Sequence, residues 1–279
     1  MTTSRTDAAV AASTENDDTG SRAWKAWLKP AIIGCALMSM MYIGVLMYQD
    51  VMGWKYGLDS TSAEFDTYWM TLFWAQIIIL PLVAVGTWAF LWFTRDRDLA
   101  NLDPQEEVVR YLRLLGIILV YCFAIYWAAS YFAEQDGSWH QTVVRDTSFT
   151  PSHIAIFYLS FPVYIIAGVS AFLYAMTRLP KFANGISIPF ALAVTGPFMI
   201  LPNVGLNEWG HAFWIMEEWF TAPLHWGFVV FGWSALALFG LASQIGLGII
   251  DALKRAYGDA EDFRIPGPTD DMLEYSHQA

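Results

Sequence analysis

The chain has 279 residues, of which 56% are apolar and 15% are charged, and its formal net charge is −11 at pH 7. Ordinary soluble domains carry about 25% charged residues, so this composition excludes that class and indicates a membrane protein. The sequence also lacks a basic patch and a glycine-rich phosphate loop, which argues against nucleic-acid binding and nucleotide chemistry.

Both ends of the chain are polar. Residues 1–23 form an acidic tail without the apolar core or cleavage site of a signal peptide, so the first apolar run is expected to be an uncleaved anchor. Residues 24–250 are predicted to form a transmembrane helical domain. Residues 251–279 are predicted to form an acidic C-terminal tail of low order.

Six apolar runs are each close to the length of about 20 residues that crosses a bilayer as a helix. They cover residues 30–48, 68–93, 114–132, 154–176, 186–201 and 227–250. The fifth run is short and contains Pro189 and Pro197, which predicts a broken, tilted or partly re-entrant segment. We therefore predict an all-α integral membrane protein with about six transmembrane helices.

The distribution of basic residues predicts the orientation of these helices. Of the 15 Lys and Arg residues, only Lys55 and Arg145 fall in the first, third and fifth loops between the apolar runs. The positive-inside rule then places both termini in the cytoplasm and the odd-numbered loops on the outer side. Residues 206–220, in the fifth loop, are predicted to form an amphipathic helix on that side.

The third and fifth loops repeat one spacing of polar residues. Asp136 and His140 are four positions apart in the third loop, and Asn207 and His211 are four positions apart in the fifth. Residues with this spacing lie on one face of a helix, where they suit two ligands of a single metal ion. Each loop therefore offers one candidate ligand pair.

A further histidine follows each pair, close to the start of the next apolar run. His153 follows Thr150 and Pro151, and His225 follows Pro223. Threonine and proline before an apolar run are typical of a helix start, so both histidines are predicted in the first turn of a transmembrane helix. Each loop thus gains a third candidate ligand.

These two sets predict metal binding, because ionisable groups at membrane depth are costly and are kept mainly where they pair or bind. Asp136, His140 and His153 are two histidines and a carboxylate, which suit copper, iron or zinc. The second set is more neutral and consists of Asn207, His211 and His225. The ligand types alone leave the metal open.

Several neighbours of these residues are candidates for a pocket or for contacts behind the ligands. They are Trp139, Glu208, Phe213 and Trp214. Aromatic residues at this depth also belong to interfacial belts, and acidic residues also form the wet face of an amphipathic helix. Both interpretations stay open at this point.

The chain resembles a known family over residues 57 to 250, most of its length. The resemblance rests on DGSWHQTVVRDTSFTPSH, YAMTRLP, GISIPF, GPFMILPNVGLNEWGHAFWIMEEWF and APLHWGFVVFGW. These segments are similar to the C subunit of the copper membrane monooxygenases. That family comprises particulate methane monooxygenase, ammonia monooxygenase and the short-chain hydrocarbon monooxygenases. The C subunits of the first two are called PmoC and AmoC.

The resemblance implies one component of a bacterial inner or intracytoplasmic membrane enzyme that uses dioxygen to hydroxylate a small gaseous or apolar substrate. It implies copper at both ligand sets, A and B subunits in a trimer of heterotrimers, and electrons from an external donor, a quinol. The segments DTSFTPSH, AMTRLP and HAFWIMEE are closer to the ammonia branch, whereas the acidic tails fit neither it nor the methane branch. This mixture favours a short-chain alkane substrate, methane to butane, with oxidation of ammonia to hydroxylamine as the alternative.

Two functions of other classes compete with an oxygenase. His211 and His225 have a spacing found in haem-b membrane anchors, although Pro223 argues against two histidines deep in continuous helices. A purely structural component, in which a metal ion ties the third and fifth loops together, would use the same ligands. Sequence alone does not separate these functions.

Overall fold

The computed structural model describes residues 24–132, 135–136, 138–139, 149–199 and 226–258. Within these ranges the backbone forms helices and no β-strand, which confirms the predicted all-α class. We number the principal helices of the described chain in order. They are α1 (Lys29–Tyr56), α2 (Ala63–Phe93), α3 (Pro104–Phe132), α4 (Pro151–Arg178), α5 (Ile188–Thr195) and α6 (Trp226–Tyr257).

Five of these helices are long and apolar enough to cross a membrane: α1 to α4, and α6 over Ser234–Tyr257. The exception is α5, which has 8 residues. It continues into a 3-10 turn, Gly196–Met199, where Pro197 has no N–H to donate to the preceding turn. The described part of the fifth predicted run is therefore broken, in agreement with its two prolines.

Hydrogen bonds bring the start of α3 and the ends of α4 and α6 together, at what we call the basic end of the bundle. Arg110 of α3 donates to the backbone carbonyl of Arg178, the last residue of α4, at 3.1 Å. Arg255 of α6 donates to the Glu107 carboxylate of α3 at 2.7 Å. Both α4 and α6 therefore end where α3 begins.

The opposite end of the bundle, which we call the histidine end, joins α1 to α4. Here Gln49 of α1 donates to the backbone carbonyl of Pro151, the first residue of α4, at 3.0 Å. Both α4 and α6 end at the basic end. The described residues thus hold five helices long enough to cross a membrane, whereas the sequence predicts six spans, and the short helix α5 is the described part of the fifth of these.

Close approaches to α3 position the neighbouring helices, and two of them require glycine. A Cβ atom at Gly168 of α4 would lie 2.7 Å from the Tyr121 ring, and one at Gly248 of α6 would overlap the side chain of Tyr111. Both tyrosines belong to α3 and are buried. Any larger residue at either glycine would force the helices apart, so α3 is the element on which α4 and α6 are aligned.

The helix α6 extends to Tyr257, past residue 251, where the sequence predicted the C-terminal tail to begin. Its last two turns are held by tertiary contacts, because Ala252 is fully buried and Arg255 pairs with Glu107. The helix extends beyond the predicted boundary because of a long-range ion pair, which the local composition does not reveal. Residues 1–23 and 259–279 lie outside the described residues.

Asp96 links the loop after α2 to the basic end. Its carboxylate accepts hydrogen bonds from the Asp98 N–H at 3.0 Å and from Arg110 at 2.8 Å, and its own N–H donates to the Thr177 carbonyl at 3.1 Å. These bonds, the Asp98 N–H first and Arg110 second, hold the pKa of the Asp96 carboxyl below its ordinary value of 3.8.

The pKa of Asp96 predicts an acid-sensitive contribution to stability. Because the folded-state pKa is lowered, ionised Asp96 stabilises the fold above about pH 4, and the contribution is lost as the pH falls through the folded-state value. We expect Asp96→Asn to lower the free energy of unfolding by about 1 kcal/mol or less near neutral pH, since the pair is partly exposed. Thermal unfolding of the purified protein at neutral and acid pH checks this, and a penalty that grew towards acid pH would contradict it.

Candidate metal centre

The first turn of α4 presents His153. Thr150 precedes this helix in an extended conformation, and its carbonyl accepts the Ile154 N–H at 2.9 Å, which closes the first helical turn. Pro151 occupies the first position, where a missing N–H costs nothing. The position of His153 in the first turn of a membrane-spanning helix confirms that prediction.

The structure brings Asp136 to this histidine. His153 Nε2 lies 3.4 Å from Asp136 Oδ1, and each side chain is 6% exposed. Around Asp136, the described residues Gln135, Ser138 and Trp139 are also helical, as the spacing in the third loop predicts. Two residues that are far apart in sequence therefore meet in a buried polar pair.

The geometry of this pair can be tested against metal binding. Ligand atoms bound about 2.0 to 2.2 Å from one metal ion in tetrahedral directions are about 3.3 to 3.6 Å apart. The observed separation of 3.4 Å between the imidazole nitrogen and the carboxylate oxygen matches that value. The separation of the two atoms is thus suitable for binding one ion, and it is also that of a direct His–Asp contact.

The remaining predicted ligands lie outside the described residues. They are His140, Asn207, His211 and His225, and the same holds for the neighbours Glu208, Phe213 and Trp214. In the part of the chain that the structure describes, no group of three or more His, Cys, Asp and Glu side chains is close enough to hold a metal ion. Asp136 and His153 are therefore the two predicted ligands that the structure describes.

Apolar and amide groups hold the His153 ring and its helix. Phe157, one turn along α4, packs on the imidazole with 4.9 Å between the ring centroids. Ile154 and Ile156 beside it are fully buried. The hydrogen bond from Gln49 to Pro151 fixes the start of the same helix to α1. These contacts exclude water from one side of the ring and limit its movement.

A cavity of about 190 Å³ lies at the histidine end, and its lining includes Gln135 and Ser152, the chain neighbours of Asp136 and His153. Its walls come from α1, the third loop and the start of α4; the lining residues are Gln49, Asp50, Gly53, Trp54, Gln135, Ser138, Trp139, Pro151 and Ser152. Trp139, a candidate pocket residue, stacks on Trp54 with 5.3 Å between ring centroids.

The wall of the cavity combines apolar groups with several polar side chains. Gln49 Oε1, Gln135 Oε1, Trp139 Nε1 and Ser152 Oγ are buried atoms that make no hydrogen bond to the described residues. Four of the residues that line the cavity thus carry a buried polar atom without a partner among the described residues.

Sequence reasoning did not find Gln49, Gln135 or Ser152. Gln49 follows directly after the first apolar run, and this position was the available signal, since an uncharged amide at the edge of a span is costly unless it is bonded. Gln135 and Ser152 are each next to a predicted ligand, Asp136 and His153. The sequence shows that both residues are next to a predicted ligand, but it does not show the cavity that they line together with Gln49.

The fold and the buried pair define the class of this protein: it is a multi-pass helical membrane protein with a polar site enclosed between helices at one end of the bundle. The particular family follows from comparison with known proteins. The family profile for the C subunit of ammonia monooxygenase/methane monooxygenase matches residues 9–256, and the chain belongs to this family. No match is found among curated proteins.

Family membership confirms the resemblance on which the sequence analysis relied. The chain is one component of a monooxygenase, and the enzyme of which it is part has more than one kind of subunit. The family description covers both ammonia and methane enzymes, so it does not select a substrate.

Proposed function

We propose that this chain is the C subunit of a copper-dependent membrane monooxygenase that hydroxylates a short-chain alkane, methane to butane. The observation that supports a metal site is the buried Asp136–His153 pair, whose 3.4 Å separation suits two ligands of one ion. The choice of copper rests on the resemblance to the copper membrane monooxygenases. His140 is the third ligand of this site by its position four residues after Asp136. Asn207, His211 and His225 form a second site.

Copper supports this function because, when bound, it supplies the redox chemistry that activates dioxygen. In the overall reaction one oxygen atom enters the substrate and the other leaves as water, so electrons and protons must come from outside. The sequence has no haem, flavin or iron–sulfur motif, so the electron donor is external, and the family resemblance implies that it is a quinol. The role of this chain is to hold the metal, keep the site dry and control access.

The residues that the structure describes at this site each contribute to that role. The Asp136 carboxylate supplies negative charge to balance a cation in a buried place, and His153 supplies an imidazole ligand whose orientation Phe157 restricts. The cavity at the histidine end gives a small molecule room next to the segments that carry Asp136 and His153. Gln49 holds the helix start that carries His153.

The distribution of charge supports the proposed topology. Ten described Lys and Arg residues lie at or beside the basic end: Lys25, Lys29, Arg95, Arg97, Arg110, Arg113, Arg178, Lys181, Lys254 and Arg255. Lys55 is the described cation at the histidine end. The basic end thus faces the bacterial cytoplasm and the metal sites lie on the outer side of the membrane. The A and B subunits assemble with this chain into a trimer of heterotrimers.

Ammonia oxidation is the second candidate, favoured by the segments DTSFTPSH, AMTRLP and HAFWIMEE. Turnover of the intact membrane complex with methane, propane, butane and ammonia, measured in parallel, separates the two. We expect oxidation of one or more alkanes as the fastest reaction, abolished by copper removal and restored by added copper but not by zinc. Faster turnover of ammonia than of every alkane would reject the alkane assignment, and activity indifferent to copper would reject the copper assignment.

Gln49 is expected to support metal binding through the helix that carries His153. Gln49→Leu keeps the volume of the side chain but removes the hydrogen bond to Pro151, so the helix start is less well positioned. We expect about tenfold weaker copper binding, the lower limit for residues behind metal ligands, with the complex still assembled. Copper content during titration with a chelator measures this effect.

Gln76 provides a matched control. It is also a buried glutamine in a membrane helix, 5% exposed, but neither polar atom of its amide group is bonded to a described residue. Gln76→Leu should leave copper binding unchanged, because replacing an unbonded amide by an apolar group is neutral or stabilising. Equal loss of copper in the two variants would show that Gln49 has no specific role.

A further inference from the structure

A groove of about 480 Å³ lies on the bundle far from the metal site, between the start of α1 and helices α3 and α4. We call it the basic groove and define it by Lys25, Trp27, Arg113, Gly116, Val120 and Tyr174. Most of its wall is apolar, and the charged groups of its lining are the cations of Lys25 and Arg113. Its volume is that of a typical small-molecule site.

Lys25 and Arg113 lie at the same depth along the helices. Lys25 lies just before the first apolar run begins at Pro30, and Arg113 directly precedes Leu114, where the third run begins. Tyr174 is one turn before Arg178, where α4 ends. All three residues thus lie where apolar sequence gives way to polar sequence, the depth of the lipid headgroups.

The apolar part of the groove extends from these cations into the bundle. Val120 lies seven residues beyond Arg113 on α3, about 10 Å deeper at 1.5 Å per residue. Gly116 and Ile117 line the wall between them. At Gly116 a Cβ atom would lie 3.2 Å from the Trp27 ring, so glycine here lets Trp27 form the opposite wall. A chain of apolar atoms fits this direction.

Polar groups at the mouth of the groove are available to a ligand. Arg113 meets Glu106 at 3.5 Å, a long contact that uses one of its several N–H donors. The side chain of Arg113 is 45% exposed, so a ligand can reach its guanidinium, whereas Tyr174 is buried beside it.

We infer that the basic groove binds one anionic glycerophospholipid, with its phosphodiester at Lys25 and Arg113 and an acyl chain along Gly116, Ile117 and Val120. Basic pockets between membrane helices are suited to such headgroups, and a phosphodiester is present at this depth in every leaflet. A helix from another protein would have to bring a carboxylate to the same depth. The inference does not depend on the proposed copper chemistry.

The test is lipid retention by the intact complex, measured by native mass spectrometry after purification from nanodiscs that contain phosphatidylglycerol or phosphatidylcholine. We expect one retained phosphatidylglycerol per copy of this chain and no retained phosphatidylcholine. Lys25→Gln and Arg113→Gln should each lower the occupancy about fivefold, and the double variant by the product of the two factors. Arg113→Lys, which keeps the charge, should retain most of the lipid even if the glutamine variant fails to assemble.

Arg97→Gln and Lys254→Gln are the matched controls, because both residues are exposed at the basic end and neither lines the groove. They should leave occupancy unchanged, and free glycerol phosphate should not displace the lipid, since it has no acyl chain. Equal retention of the two lipids by the parent protein would overturn the inference. So would unchanged occupancy in the double variant, the result expected if a protein segment fills the groove, or displacement by glycerol phosphate.

Discussion

Replacing His153 by alanine is expected to abolish oxygenase turnover, with a loss of at least about 100-fold, the upper value for residues one step further from a metal. The variant removes the imidazole that lies 3.4 Å from Asp136. The proposed copper site then loses one of its three ligands. Turnover and copper per complex, measured on the same preparation, check the expectation.

The fifth histidine of the chain, His277, supplies the control, since it lies in the C-terminal tail and belongs to neither ligand set. His277→Ala should retain parental turnover and copper. Parental turnover in His153→Ala as well would show that the Asp136–His153 pair does not serve catalysis, whatever its geometry.

The same approach separates the oxygenase from its two rivals. His140→Ala and His211→Ala should lose turnover while the complex survives, whereas a metal that only ties loops together predicts loss of assembly as well. A haem anchor predicts a Soret absorption band that disappears in His211→Ala. Stoichiometric copper without such a band is the result expected for the oxygenase.

Local sequence was sufficient to predict the part of the site that depends on helix starts and helix faces. Thr150 and Pro151 placed His153 in a first turn, and the spacing after Asp136 predicted a helix there; the described residues around both positions agree. Such signals act within a few residues, which is the range over which backbone geometry is set. The other predicted ligands stay predictions.

Long-range contacts were not predictable in the same way. Nothing near Gln49 in sequence indicates that it bonds to Pro151, and the boundary placed at residue 251 missed two further turns of α6. Both depend on which helices become neighbours, a property of the whole bundle. Hydropathy reports that a segment is buried in lipid or protein, but it does not report the partner.

The ion pair that extends α6 is expected to be the largest single electrostatic contribution to the described fold. Glu107 is 4% exposed in its side chain and accepts a hydrogen bond from Arg255 at 2.7 Å, whereas the Arg255 side chain is 43% exposed. Removing the arginine leaves a buried carboxylate without a cation. Removing the carboxylate leaves an arginine that water can reach.

Because the two side chains differ in exposure, we expect loss of Arg255 to have a large effect on the free energy of unfolding. Arg255→Gln should destabilise the protein by about 3 kcal/mol, at the lower limit for a broken buried pair because Arg255 is partly solvated. Glu107→Gln should cost less, and the double variant should recover part of the loss. Thermal unfolding of the four proteins in one detergent gives the coupling free energy directly.

Asp251 supplies the control within the same cluster, since it also pairs with Arg255, at 3.1 Å, but its side chain is 70% exposed. Exposed pairs contribute little, so Asp251→Asn should change the free energy of unfolding by about 0.5 kcal/mol or less. If Asp251→Asn proved as damaging as Arg255→Gln, burial of Glu107 would not be the source of the effect. The end of α6 would then be held by surface charge, and the packing of Ala252 would have to account for its two extra turns.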